Sequence, residues 1–209
     1  MSINSSNDTK PTFVYWKVAS RAHLPMLLLS AGNVPYTLDD ETANSWPSKK
    51  HEMPFGQLPV LRHNGMTLGQ SGAIARYCAK LAGLMPKSDS ECAVVDSIME
   101  QCVDVFNCMV KAKYSKEEQE SAWKEFEEQI LILKMTWINN MLYERKTELF
   151  GGDQANAADI SVFAVLNLVE KAGITLPFLS HLTPLYQKVQ SMASVSKYLK
   201  EEYPPYFQK

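Results

Sequence analysis

The distribution of apolar positions changes character once along the chain. Between Pro11 and Leu81, short runs of strand length alternate with helical patterns. Pro11-Thr12-Phe13-Val14-Tyr15-Trp16 is rich in β-branched and aromatic residues, and a leucine-rich stretch from Arg21 to Ala31 follows at helical spacing. Pro25 lacks an N–H and would clash with a preceding turn, so it belongs in the first turn of that helix, where the donor has no partner anyway. Pro35-Tyr36-Thr37-Leu38, Leu58 to Arg62 and Met66 to Leu68 read as further strands, the last two joined into a hairpin by the turn His63-Asn64-Gly65. Ser71 to Leu81 reads as a helix with Ser71 at its N-cap, where a hydroxyl accepts an otherwise unpaired backbone N–H.

The stretch Gly83-Leu84-Met85-Pro86-Lys87-Ser88-Asp89-Ser90 breaks this alternation, and beyond it no strand pattern returns while 3.6-residue periodicity dominates. Helix starts with capping signals fall at Ser90, at Ser115-Lys116-Glu117-Glu118, and at Asn156-Ala157-Ala158-Asp159 ahead of an apolar run to Val169. The expected organisation is a polar tail over residues 1–10, a small α/β sheet domain over 11–83, a linker over 84–90 and an all-helical domain over 91–209.

Composition narrows the function classes. With 209 residues, 45% of them hydrophobic, the chain can bury a substantial core. Lys plus Arg number 21 against 23 Asp plus Glu, so no basic field exists to gather phosphate backbones or anionic lipid; neither nucleic acid nor membrane is an expected partner. The opening MSINSSNDTK contains no apolar signal-peptide core, and the expected location is the cytoplasm. Cys78, Cys92, Cys102 and Cys108 form no CxxC pair and no histidine stands beside them at ligand spacing; they read as reduced core or helix-face residues, and no metal is expected.

The order Tyr15-Trp16 to Arg21, Trp46 to Lys50, Pro54-Phe55-Gly56-Gln57-Leu58-Pro59, then Gln70-Ser71 ahead of Ala73-Ile74-Ala75-Arg76-Tyr77 resembles the cytosolic glutathione S-transferases of the tyrosine type. Gln-Ser-x-Ala-Ile-Ala-Arg-Tyr leans towards the sigma class, and Gly-Gln-Leu-Pro is similar to pi and mu. The resemblance runs collinearly over residues 12–82, and Asn156 to Asp159 sits where the family carries a buried helix-start signal. It implies a thioredoxin-like domain followed by an all-helical domain, a homodimer, glutathione as co-substrate and conjugation to small hydrophobic electrophiles, a detoxification activity. Isomerisation of a prostaglandin-type lipid, a non-catalytic ligand-carrying or structural role, and a protein-interaction module stand as alternatives.

Glutathione carries charged groups at both ends and a thiol between, so its site needs anion-binding groups at two ends and a thiol activator in the middle. The resemblance assigns Tyr15 and Arg21 to the thiol, Gln70 and Ser71 to the γ-glutamyl end, a cis Leu58–Pro59 bond to the cysteinyl backbone, Trp46 and Lys50 to the glycine carboxylate, and Gln57 to glutathione binding at no particular end. Lys50 also reads as part of a solvated basic loop with Lys49 and His51. Asp96, Glu100 and Asp104 fall on one helical stripe whose like charges want partners. The resemblance sends Asp104 across a dimer interface to the neighbouring γ-glutamyl amine and leaves open a divalent cation there. Trp16, Val18, Phe106, Met109 and Val110 are the expected wall of the electrophile pocket. Ala19-Ser20 stands where the family commonly has Arg-Gly, which makes Ser20 a rival to Tyr15 for the thiol, or else an N-cap for the first helix.

Overall fold

The computed structural model describes residues 10–116 and 118–202. The polar tail falls almost wholly outside the described residues, as does Glu117 of the second capping signal. Strands β1 (Thr12–Val14), β2 (Thr37–Asp39), β3 (Val60–His63) and β4 (Met66–Gly69) form one sheet in the order β2-β1-β3-β4. β1 pairs parallel with β2 and antiparallel with β3, placing Phe13 opposite Leu38 and Leu61. The β3–β4 hairpin turns at Asn64 and Gly65, both at positive φ, the conformation that a two-residue hairpin turn demands. β1 is shorter than the apolar run suggests, because Tyr15 and Trp16 leave the sheet after one last bond from the Tyr15 N–H to the Asp39 carbonyl.

Helix α1 (His23–Ala31) packs against α3 (Ser71–Leu81) on one side and against the second domain on the other. Pro25 lies in its first turn, as expected. The short α2 (Asp40–Asn44) was not legible in the apolar pattern; its signal is the Asp39 side chain accepting from the Thr42 N–H at 2.9 Å. The helical half comprises α4 (Asp89–Lys113), α5 (Gln119–Glu125), α6 (Ile132–Arg145), α7 (Ala157–Lys171), α8 (Leu182–Ser191) and α9 (Ala193–Lys197), with a π-helical turn at Phe126–Leu131 joining α5 to α6. The fold is thus a thioredoxin-like sheet domain followed by a helical domain.

Four expected caps need correction. The N-cap of α3 is Gln70, because the first helical bond runs from Ile74 N–H to the Gln70 carbonyl; Ser71 is the first helical residue. That of α4 is Ser88 rather than Ser90, α5 starts after Glu118 with no side-chain cap, and Ser20 does not cap α1, whose N-cap is Ala22. The Asn156 signal is fully realised as a reciprocal capping box. Asn156 Oδ1 accepts from Ala158 and Asp159, while the buried Asp159 carboxylate accepts from the N–H groups of Phe150, Gly151 and Asn156 at 2.7, 3.0 and 2.9 Å. Only glycine fits at 151, since a Cβ there would fall 2.0 Å from the Gln154 carbonyl oxygen. This knot anchors α7, whose residues from Ala157 to Val169 are all buried and which packs on α4 and α1 at the centre of the core.

Candidate active site

A cleft of about 550 Å³ opens between the sheet domain and α4, lined by Trp16, Arg21, Trp46, Gly56, Gln57, Leu58, Pro59, Gln70, Ser71 and Asn107. Residues distant in sequence are gathered there by the turns that end strands. The Leu58–Pro59 peptide is cis. Gln70 closes β4 at φ 72, a region that non-glycine residues enter at a cost of about 1–3 kcal/mol. The turn that Gln70 makes presents Ser71 and the first turn of α3 to the cleft, where unpaired backbone N–H groups and the positive end of the helix dipole favour an anion. Gln70 Nε2 donates to Gln57 Oε1 at 3.3 Å, tying these two amides together. At the other end the Trp46 ring meets Trp16 edge-on at 6.3 Å.

Tyr15 sits behind this wall at 5% exposure, with Trp16 against it at 5.5 Å. Burial pushes its phenol above the ordinary tyrosine range. Against that act hydrogen bonding with the Ser20 side chain and the Arg21 backbone, and then the Arg21 charge. A phenol held neutral at physiological pH keeps its proton. Arg21 in turn donates from Nη1 to Asn107 Oδ1 at 3.1 Å, and its guanidinium carbon lies 5.4 Å from the centre of the Phe106 ring.

Not every expected residue joins the cleft wall. Lys50 is exposed and its alkyl stem packs over Gly56 at the cleft rim. Asp104, also exposed, pairs with Lys134 of its own chain at 3.2 Å, while Asp96 and Glu100 both pair with Arg76. Met109 is a correction: it is 0% exposed, because Val105, Met109 and Ala112 share the core-facing stripe of α4. Val18 and Val110 are half-buried off the cleft, and Phe106 lines an adjoining cavity of about 50 Å³ with Ser20, Arg21 and Leu24. Sequence reasoning missed Asn107 as a site residue; its signal was a polar residue on the α4 turn beside Phe106. Among the described residues no group of histidine, cysteine or acidic side chains is gathered as metal ligands, and no helix is long and apolar enough to cross a membrane.

A thioredoxin-like sheet, a cleft that joins a cis-proline to a helix N-terminus, and a tyrosine just past the first strand stand ahead of a helical domain in a two-domain architecture. The chain belongs to the glutathione S-transferase family, matching its N-terminal domain over residues 11–80 and its C-terminal domain over residues 103–202. The family uses glutathione as co-substrate. Among similar proteins, probable glutathione S-transferase 6 of Caenorhabditis elegans is 27% identical over 199 residues, covering 91% of this chain and 97% of that one. Hematopoietic prostaglandin D synthase of Rattus norvegicus is 26% identical over 188 residues, 89% and 93% of the two chains. The solved structure of monomeric Na-GST-3, a glutathione S-transferase from the hookworm Necator americanus, superposes with a TM-score of 0.80 at 26% identity, over 95% of this chain and all of that one.

Proposed function

We propose that the protein is a glutathione transferase in which Tyr15 holds the glutathione thiol as a thiolate for attack on small hydrophobic electrophiles, a detoxification activity of the cytoplasm. The observation that carries the reading is the cleft that gathers the cis Leu58–Pro59 peptide, Gln70, Ser71, Arg21 and Trp46, with the buried Tyr15 packed behind Trp16. These residues fit the ligand. Ser71 and the first turn of α3 take the γ-glutamyl carboxylate, Gln70 and Gln57 orient that end, Leu58 offers its main chain, and Trp46 and Lys50 serve the glycine end. When bound, glutathione supplies the nucleophilic sulfur. Tyr15 donates its hydroxyl proton to that sulfur, and Arg21 adds positive charge beside it. Free thiols ionise near pH 8.5, so stabilisation by about 3 kcal/mol brings the midpoint down about two units and leaves the thiolate dominant at neutral pH.

The electrophile lies between the domains against Trp16 and Phe106. A second reading, glutathione-assisted isomerisation of a prostaglandin-type lipid, is favoured by the similarity to hematopoietic prostaglandin D synthase at nearly the same identity as to the transferases. It uses the same thiolate. We also propose a homodimer. Leu133, Trp137 and Met141 form an exposed apolar stripe along α6, and Phe55 is 74% exposed beside the cleft; a second copy covers them and receives Asp104 at its γ-glutamyl end. Sedimentation at micromolar concentration tests this, and a stable, fully active monomer overturns it. The function is tested by turnover of a generic aromatic halide with glutathione, run beside a prostaglandin endoperoxide. Halide turnover supports conjugation, turnover of the endoperoxide alone selects the isomerase, and neither, with glutathione bound, selects a non-catalytic carrier.

A further inference from the structure

Arg21 belongs to the loop between β1 and α1, yet its guanidinium is held from the other domain. Asn107 Oδ1 accepts its Nη1–H at 3.1 Å, and Phe106, one residue earlier on α4, lies 5.4 Å from its centre. Among the described residues Arg21 forms no ion pair. Both groups that hold it are neutral. An arginine carries no acceptor, so the Asn107 amide must turn its oxygen towards Arg21. Arg21 and Asn107 both line the cleft.

Resting on the glutathione reading above, we propose that Asn107 is a positioning residue of the thiol site: it anchors the Arg21 guanidinium at the cleft through a neutral acceptor, which fixes the cation without cancelling its charge. A carboxylate at this place would hold the guanidinium at least as firmly, through a charge-assisted bond, but would remove the positive field that favours a thiolate. An apolar residue would leave the charge intact and its position undefined. Through this contact the helical domain sets the chemistry of a site whose other thiol-facing groups come from the sheet domain.

The experiment is the pH titration of thiolate absorbance in the complex with glutathione, using the full chain. Asn107 is exposed, so its substitution leaves the core intact. Asn107→Ala is expected to raise the midpoint by about half a unit, a roughly threefold loss of thiolate below it, and Asn107→Asp by about one unit, a tenfold loss. Glutathione affinity should change little in either. In an Arg21→Ala background Asn107→Ala should have no further effect on the midpoint, and Asn107→Asp should keep only the smaller upward shift that its own charge exerts. A merely structural Asn107 predicts the opposite ranking, since aspartate preserves the contact; Asn107→Asp titrating like the parent overturns the proposal. So does an undiminished effect in the Arg21→Ala background. If the parent protein itself gives no titrating thiolate with bound glutathione, the glutathione reading falls and the proposal with it, whereas a normal parent titration unchanged in both variants removes only the role of Asn107.

Discussion

Tyr15 and Asp159 are both buried ionisable groups whose hydroxyl or carboxyl is pushed upward by burial, and both receive hydrogen bonds that pull the other way. They differ in what remains free. Asp159 accepts from the N–H groups of Phe150, Gly151 and Asn156, all within the turn before α7, so the chain satisfies it completely and locally. Tyr15 is hydrogen-bonded with Ser20 and Arg21 but keeps its own proton beside a cleft. On the proposed function, the structural group is closed by its own segment, whereas Tyr15 keeps its hydroxyl proton for a ligand that enters the cleft.

The comparison breaks first, and hardest, at Asp159. Asp159→Ala strips the acceptor from three backbone N–H groups at the base of α7, and each buried donor left unmet costs about 1–3 kcal/mol. A loss of at least about 3 kcal/mol is expected, or roughly 6–12 °C in melting temperature for a chain of this size. Calorimetry measures it. A drop of less than about 1 kcal/mol would mean that water or a shifted turn satisfies those donors and that the site is not closed.

Tyr15→Phe should act on chemistry instead. The ring stays buried and edge-on to Trp16, while the donor is lost. Expected is a ten- to hundredfold fall in kcat/KM at neutral pH, about 1.4–2.7 kcal/mol, with glutathione affinity nearly unchanged and the bound thiol titrating at higher pH. A large loss of melting temperature with intact turnover would reverse the contrast with Asp159.

Much of this contrast was legible beforehand, and the reason is range. The Asn156–Asp159 box, the Asn64-Gly65 turn and the first-turn Pro25 depend on bonds between near neighbours, which a sequence pattern encodes. The cis Leu58–Pro59 bond and the cluster of Gln70, Ser71 and Trp46 came through only by resemblance. Asn107 was missed because its partner Arg21 stands 86 residues away, and only the packing of α4 against the sheet domain makes them neighbours. Met109 failed as a pocket residue for a related reason: helical spacing fixes which residues share a stripe, but which stripe faces inward is decided by α7. The acidic stripe wanted partners, and Arg76 and Lys134 supply them within the chain.

His23 extends the comparison to a buried group with neither role. It is wholly buried in α1, its Nδ1 lies 3.2 Å from the Tyr198 hydroxyl, and burial lowers its pKa well below the ordinary value. The unfolded chain therefore takes up a proton more readily than the folded one, so stability is full above pH of about 6.5 and is lost as pH falls below it, by up to about 1.4 kcal/mol per unit. Between pH 7 and pH 5 this amounts to at most about 2 kcal/mol. In His23→Gln the acid dependence of the urea midpoint should shrink by that amount. An unchanged dependence would mean that carboxylates alone carry the acid sensitivity.

The smallest effect, and the sharpest test of the open side of Tyr15, belongs to Ser20. Its carbonyl accepts from the His23 N–H and its side chain does not cap α1, while hydrogen bonding with that side chain acts to lower the pKa of the Tyr15 phenol. Ser20→Ala should therefore leave helix stability within about 0.5 kcal/mol of the parent, as for a substitution that removes no cap. What it removes is a donor that favours charge on the phenol oxygen. Without that donor the phenol becomes less acidic and a weaker partner for sulfur, so the bound thiol should titrate about half a unit higher, a change of about 0.7 kcal/mol. Thiolate absorbance against pH reads the shift, and a thermal melt reads the stability. If the melt falls by about 1 kcal/mol while the titration stays in place, Ser20 is a helix cap after all and the Tyr15 oxygen does not depend on it. If the titration disappears in Ser20→Ala and survives in Tyr15→Phe, the serine hydroxyl is the thiol donor, and the open side of the site belongs to Ser20 rather than Tyr15.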